Sequence, residues 1–297
     1  MTKEKLPYSD EKELKLFLTC KDHSVSRETF NLYLDDKTDL LITLPRPSNI
    51  ELPGYYESED YISHTDSKAS LMDRVYQVIK NYSIKKKLKM VNNLKRDKGL
   101  LLDIGCGTGD FLAACQKGGW SIVGIEPNDK ARQLTKGKLG TEDSVSQDIH
   151  SVLESYKGQF DVITMWHVLE HIPNLLEYIE QLKFLLKPTG CLVIAVPNFK
   201  SYDAVHYKEH WAAYDVPRHL WHFSEHSIEH LFDKFNFKVF KTLPMVFDSF
   251  YVSLLSEKYK TGKSNLLNAL GIGLLSNLRA KSSKQYSSLI YLIKNKD

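Results

Sequence analysis

No run of 18 apolar residues occurs anywhere in this chain of 297 residues, so no segment reads as a helix that crosses a membrane. The first stretch, MTKEKLPYSDEKELK, lacks the apolar core of a secretory leader. Cysteine is scarce: Cys20, Cys106, Cys115 and Cys191 are scattered and make no disulfide framework for a chain of this length. Charge of one sign is also lacking. Lysine plus arginine numbers 40 against 37 acidic residues, a net charge of +3. A duplex nucleic-acid partner asks for a larger basic excess, so none is expected. The absences together predict a soluble, reduced, cytoplasmic protein of one elaborated domain or two.

What is present begins with three short strands between residues 14 and 44, in LKLFLT, TFNLYL and DLLITL. LPRPSNIELP closes them, and the loop GYYESEDYISH follows. Residues 1–66 therefore read as a β-rich extension, and 67–297 as the main domain. Helical spacing runs from Lys68 to Arg96, through Leu71, Val75, Val78, Ile79, Tyr82, Ile84, Leu88 and Val91. The lysines at 85, 86, 87 and 89 read as its solvated face. Strands then alternate with helices: GLLLDI, WSIVGIE, DSVSQD, FDVITMWH and GCLVIAVPN are separated by DFLAACQKG, NDKARQLTKG and PNLLEYIEQLKFLLKP. SIEHLFDKF with FKVFKTLPMV continues the pattern, and YSSLIYLIK adds a last strand. The expected class is α/β, a doubly wound, mostly parallel seven-stranded sheet. Residues 198–223 and 246–285 fit no repeat of that unit and read as insertions. Within the second, NLLNALGIGLLSNL predicts an amphipathic helix packed on the protein through Leu267, Leu270, Leu274 and Leu278. A membrane surface or a homodimer face is the alternative for that leucine stripe.

The segment LLLDIGCGTGDF joins the first of the alternating strands to its helix, with glycines at 105, 107 and 109. Glycines there let backbone N–H groups approach a ligand at the positive end of a helix. The dinucleotide fingerprint wants its third glycine at position 110, where Asp110 stands. No Gly-Lys-Ser/Thr follows, which excludes a Walker phosphate loop. The strand instead ends near a carboxylate, Asp103, which suits a cationic ligand better than a pyrophosphate. Glu126 closes the second strand, where an acid can bind ribose hydroxyls. Asp148 follows the third.

LDIGCGTGDF, GIEPN, QDI, FDVITMWHVLEHI and LKPTGCLVIAVPN, in this order and spacing, resemble the successive motifs of class I S-adenosylmethionine-dependent methyltransferases. The resemblance covers roughly residues 68 to 245 and implies the Rossmann-like methyltransferase fold. It also implies S-adenosylmethionine as cofactor, with the backbone of Gly105 and Gly107 beside its methionyl part and Asp103 near its ammonium. Glu126 would take the ribose, Asp148 and Ile149 the adenine, and His167 the sulfonium region. Cys106, Gly109 and Pro127 complete that set, with Tyr61 and His64 from the tyrosine-rich loop. That loop and HWAAYDVPRHLWHF resemble a bacterial small-molecule branch whose members often carry an N-terminal zinc ribbon. Here Cys20-x-x-His23 matches one half, but Asp36 and Asp39 stand where thiolates belong. Such a set is poor for structural zinc, so a degenerate ribbon without metal is expected.

Six of the eleven histidines lie between 206 and 230. His226 and His230 share a helix whose core face is Ile228, Leu231, Phe232 and Phe235, and they read as solvated. His206 and His210 lack an evident third ligand. HWAAYDVPRHLWHF follows the fifth strand of the sheet and opens toward the crevice that holds Gly105. His219 or His222 is the candidate base, and Arg218 the group that orients an acidic acceptor, unless it only pairs with Asp215. Aromatic residues such as Tyr55, Tyr56, Trp166 and Trp211 can wall a flat acceptor. The function expected is methyl transfer to a small molecule, at a hydroxyl oxygen. The alternative is a sensor or partner protein that binds the cofactor without catalysis.

Overall fold

Two sheets organise the computed structural model, which describes residues 14–48, 50–56, 71–141, 143–263 and 265–296. The smaller sheet holds β1 (Lys15–Lys21), β2 (Thr29–Asp35) and β3 (Leu40–Leu44). After helix α1 (Leu71–Leu94) come β4 (Leu100–Ile104), α2 (Asp110–Lys117), β5 (Ser121–Ile125), α3 (Asp129–Leu139), β6 (Val145–Ser146), α4 (His150–Leu153) and β7 (Phe160–Trp166). Then follow α5 (Leu175–Leu185), β8 (Leu186–Pro197), α6 (Tyr202–Tyr207), β9 (Trp221–His222), α7 (Glu225–Asp233) and β10 (Phe237–Pro244). Helices α8 (Asp248–Thr261) and α9 (Leu266–Ser283) precede the last strand, β11 (Ser288–Asn295).

The large sheet has seven strands in the order β10-β11-β8-β7-β4-β5-β6. Strands β8 to β6 run parallel, while β11 is antiparallel to both β8 and β10. This is the Rossmann-like, mostly parallel sheet expected. Its central strands are apolar because helices cover both faces: Leu101, Leu102, Ile163, Leu192 and Val193 are at most 1% exposed. Local signals set the helix ends. Asn128 caps α3 by accepting from Ala131 N–H, and Gly140, at φ +70°, ends it.

Helix α5 is shorter than its apolar period predicts. It stops at Leu185, because Leu186 pairs with Phe160 and starts β8 ahead of Pro188-Thr189-Gly190. A larger departure concerns β9. It comes from the first insertion, yet it completes the small sheet in the order β1-β2-β3-β9, with Leu41 opposite His222 and Ile42 opposite Trp221. Leu40 and Ile42 thereby join the main core with Ile163, Ile194 and Phe223. The N-terminal strands are thus seamed to the segment that follows the fifth strand of the sheet.

The α9 expectation needs correction. The helix does pack on the protein, but the leucine stripe faces outward: Leu267 is 83% exposed, and Leu270, Leu274 and Leu278 about half so. Ala269, Gly273, Ser276, Asn277 and Ala280 form the buried face. The reason is a close approach to α8, where a Cβ on Gly273 would stand 2.7 Å from the Phe250 ring. Small residues let the backbones meet, and leucines cannot occupy that side.

Candidate functional site

The loop after β4 is built for close approach. Gly105, Gly107 and Gly109 all have positive φ, between +55° and +77°, where a side chain is strained. A Cβ on Gly105 would stand 2.5 Å from Val168 Cγ2, and one on Gly109 2.5 Å from Thr135 Cγ2. At Gly107 nothing lies within 4 Å, so the loop is backed by protein at its ends and open in the middle. Gly105 and Cys106 donate to Ile125 O at 2.8 and 3.0 Å, tying the loop to the end of β5.

Glu126 follows β5 and is 9% exposed. Its carboxylate accepts from Gly107 N–H at 2.8 Å and Asn128 N–H at 2.9 Å. Both oxygens keep a lone pair for a diol beside the open face of Gly107. Asp103 is 2% exposed and accepts from Thr164 Oγ1 at 2.5 Å. Burial pushes its carboxyl up to about 7, against the lowering effects of Thr164 and Lys87. A cation bound beside it would restore the charged form. Asp110, at the position of the absent third glycine, is ion-paired with Lys80 at 2.6 Å and Lys138 at 2.5 Å. Asp148 is exposed and accepts from Ser151 N–H and Oγ, both at 3.0 Å, while Ile149 beside it is buried. Pro127 is exposed, and its carbonyl accepts from Arg132 at 3.0 Å. Tyr61 and His64 lie outside the described residues.

His167 ends β7 in the left-handed region, at φ +57°. It sits between Asp248 Oδ2, at 3.0 Å from Nε2, and Glu170 Oε1, at 3.3 Å from Nδ1. Burial opposes its charge, but the two carboxylates raise it to about 10, so this histidine is a cation at neutral pH. Lys87 corrects the solvated-face expectation for its helix. It is half-buried, with Nζ 4.1 Å from the centre of the Trp166 ring. Burial lowers its basicity, offset by Asp103 and Asp248.

The turn Leu169–His171 and the segment before β9 bring three further groups together. Glu170 is 0% exposed; its Oε1 faces His167 Nδ1 at 3.3 Å without hydrogen-bond geometry, and its Oε2 has no hydrogen-bond partner. Burial works against its charge, yet the neighbouring His167 keeps its carboxyl below the usual carboxylate range. His219, 8% exposed, donates Nδ1–H to Ala213 O at 2.8 Å. His171 donates Nδ1–H to Arg218 O at 3.1 Å, and Tyr56 Oη is 3.0 Å from the same nitrogen. A carbonyl only accepts, so both rings carry a proton on Nδ1, and a neutral ring so held keeps its lone pair on Nε2. Burial, then His219, pushes His171 down to about 4, so it is neutral. The two rings meet edge to face at 4.6 Å.

The other candidates are spent inside the protein. His222 is 4% exposed and its Nε2 meets Thr43 Oγ1 at 2.9 Å, across the β3–β9 seam. Arg218, expected to face an acceptor, is 2% exposed. It bonds Asp215 through Nε at 3.0 Å and Nη2 at 2.7 Å, Asp22 at 3.0 Å, and Tyr55 O at 3.0 Å. Trp211 is buried and donates to Asp203 at 2.8 Å. Cys20 is buried, its thiol pushed up to about 12 by burial. Asp36 pairs with Lys15, and Asp39 with Lys200 at 2.7 Å. Glu170 and His171 belong to HVLEH, in which the sequence points only to His167. Their spacing with His167, at i, i+3 and i+4, is the signal that one turn presents all three.

A family model described as a methyltransferase domain matches residues 64–242. The ubiquinone biosynthesis O-methyltransferase of Actinobacillus pleuropneumoniae serotype 7 is 36% identical over 115 residues, covering 35% of this chain and 49% of that protein. The protein of the same name from Pelagibacter ubique is 33% identical over 132 residues, covering 42% and 52%. The chain thus spans about half the length of the curated relatives it matches. Among solved structures, 1,6-didemethyltoxoflavin-N1-methyltransferase of Burkholderia thailandensis, with bound S-adenosylhomocysteine, superposes with a TM-score of 0.52 at 13% identity. That match covers 94% of this chain and 100% of the other. At that identity it shows a shared fold.

Proposed function

Since the chain belongs to the methyltransferase-domain family and S-adenosylmethionine is its cofactor, we propose that it methylates a small molecule at a hydroxyl oxygen. The observation that carries this reading is the packing of Val168 against Gly105. Val168 leads into the Leu169–His171 turn, which supports a site where Glu170 and His171, with His219 grouped beside them, lie next to the cofactor loop. The curated relatives named as O-methyltransferases support the choice of oxygen.

S-adenosylmethionine supplies, when bound, a methyl group activated on a sulfonium. Gly105, Cys106, Gly107 and Gly109 offer the backbone cradle, Asp103 takes the ammonium, and Glu126 takes the ribose. Asp148, Ile149 and Pro127 border the adenine, and His167 the sulfonium side. His219 acts on the acceptor side, where the hydroxyl must lose its proton to become a nucleophile. His222 and Arg218 hold His219 in place from the β9 seam and the Asp215 ion pair. Fixing both partners in attack geometry can by itself remove roughly 7–11 kcal/mol of barrier, which explains why so much of this segment is buried and hydrogen-bonded.

Two measurements test the cofactor half. Glu126→Ala strands the N–H groups of Gly107 and Asn128 and removes the ribose acceptor. Affinity for S-adenosylhomocysteine is expected to fall about ten- to a hundredfold, as for one or two lost charged hydrogen bonds. Unchanged affinity by calorimetry would take Glu126 out of the site. Asp103 predicts a pH dependence with a definite sign. Below 7 its carboxyl is protonated and must release that proton before it can pair with an ammonium. Affinity should therefore rise about tenfold per pH unit up to 7 and level off above it. Asp103→Asn should flatten the profile, and a flat wild-type profile would argue against the pairing. For the acceptor half, labelled cofactor is incubated with panels of phenols, amines and thiols. Label in an ether product supports the proposal, and label confined to nitrogen or sulfur refutes it.

A further inference from the structure

We propose that Glu170, His171 and His219 bind one divalent transition-metal ion on the acceptor side of the cofactor loop. This deepens the hydroxyl reading above and rests on it for what fills the ion's open positions. Among the described residues, one donor atom from each of the three lies within 4.8 Å of the others. With bonds of about 2.0–2.2 Å, the atoms of such a set stand roughly 3 to 3.5 Å apart, so modest side-chain rotation closes the site. Glu170 supplies the second, independent observation: a fully buried carboxylate whose Oε2 has no hydrogen-bond partner and whose Oε1 has only the His167 ring, at 3.3 Å. A buried carboxylate oxygen left so is costly, and a bound cation would satisfy it.

The imidazoles are already arranged as ligands. Each donates Nδ1–H to a backbone carbonyl, Ala213 O or Arg218 O. That is the outer-shell pattern which fixes the ring and its tautomer and presents Nε2 to a metal. Two imidazoles and one carboxylate suit zinc, iron or manganese; magnesium and calcium prefer all-oxygen sets. Three protein ligands leave positions open, as at catalytic rather than structural ions. Asp215 Oδ2, 3.9 Å from His219 Nε2, adds negative charge nearby. An acceptor hydroxyl fits an open position. On the ion its O–H bond breaks, the proton passes to solvent, and the electron pair stays on oxygen. His219 then acts on the acceptor through the ion it helps to hold.

The test uses the full chain without an affinity tag, stripped with a chelator and then titrated with Zn²⁺, Co²⁺ or Mg²⁺. One zinc per chain is expected by calorimetry and elemental analysis, with magnesium at least about a hundredfold weaker. Co²⁺ should give visible absorption that Zn²⁺ abolishes. Glu170→Gln and His219→Ala should each weaken zinc about a hundredfold or more, whereas Cys20→Ser should leave it bound. S-adenosylhomocysteine affinity, read on the same samples, shows that the variants are folded. Should Glu170→Gln unfold the chain, His171→Ala with the cobalt spectrum gives the same reading. No binding of Zn²⁺, Co²⁺ or Mn²⁺ at millimolar concentration would overturn the site, as would wild-type zinc affinity in both ligand variants. Full turnover by stripped protein in excess chelator would also overturn it while leaving O-methylation intact. Tight zinc lost in the ligand variants, with label found on nitrogen, would uphold the site and sink the hydroxyl reading instead.

Discussion

Alanine in place of His219 is expected to lower turnover by about a hundredfold or more, as when a group that activates a hydroxyl for loss of its proton is removed. Affinity for S-adenosylhomocysteine should change by less than about twofold, because His219 lies outside the residues assigned to the cofactor. The variant leaves Ala213 O without its 2.8 Å donor, an expected loss of about 1 kcal/mol in stability. That loss is too small to explain a hundredfold effect on rate at room temperature. The decisive comparison is kcat against calorimetric affinity on one preparation. Wild-type kcat in the variant would remove His219 from the chemistry. A parallel collapse of cofactor affinity would show that it only supports the fold.

Arg218→Ala should cause the largest loss of stability of any variant in this region, about 3–5 kcal/mol. Its guanidinium lies between Asp22, whose side chain is 0% exposed, and Asp215. Removing it strands buried charge, and that penalty is much larger than the worth of an exposed pair. Arg218→Lys should rescue little, since an ammonium cannot reproduce the paired bonds to Asp215 together with those to Asp22 and Tyr55 O. Burial opposes the charge on Asp22, but Arg218 and the Ser24 and Ser26 donors hold its carboxyl well below the usual range. Its contribution is therefore fully present above the unfolded carboxylate value, near 4, and is lost as pH falls below it. Urea unfolding of wild type and variant at about pH 7 and about pH 2 checks both claims. A variant within about 1 kcal/mol of wild type at neutral pH would refute them.

The parallel core was legible because its signals are local. The strand Leu100–Ile104, the glycines that follow and Glu126 are set by short-range pattern and by the register of neighbouring strands. The surroundings of His219 were not, because their contacts join distant parts of the chain. A two-residue strand, Trp221–His222, leaves no periodicity to read, and its pairing with Leu41 and Ile42 spans most of the sequence. The partner of Arg218 across that seam, Asp22, lies 196 residues away. Helix α9 shows a different limit. Its leucine stripe was visible, but which face turns inward was decided by the approach of Gly273 to Phe250. Lys87 shows a third. A lysine among lysines reads as solvent-facing, yet its Nζ lies over the Trp166 ring, within the influence of the Asp103 and Asp248 charges.

The β3–β9 seam determines how this enzyme can be taken apart. Residues 198–223, which carry His219, do not form a module that can be moved by themselves. Thr43 is bonded to Leu220 O through its N–H, and to His219 O and the His222 ring through its hydroxyl. Because side chains alternate along a strand, a one-residue slip of β3 would turn Thr43 away from all three. A chimera that exchanged only the segment after β8 would leave β9 without its partner strand and Arg218 without Asp22. The smallest exchangeable unit is discontinuous: the hairpin strands β1 to β3 together with the loop through β9. Exchanging that unit between relatives of this architecture then requires three junctions, one after β3 and two bracketing residues 198–223.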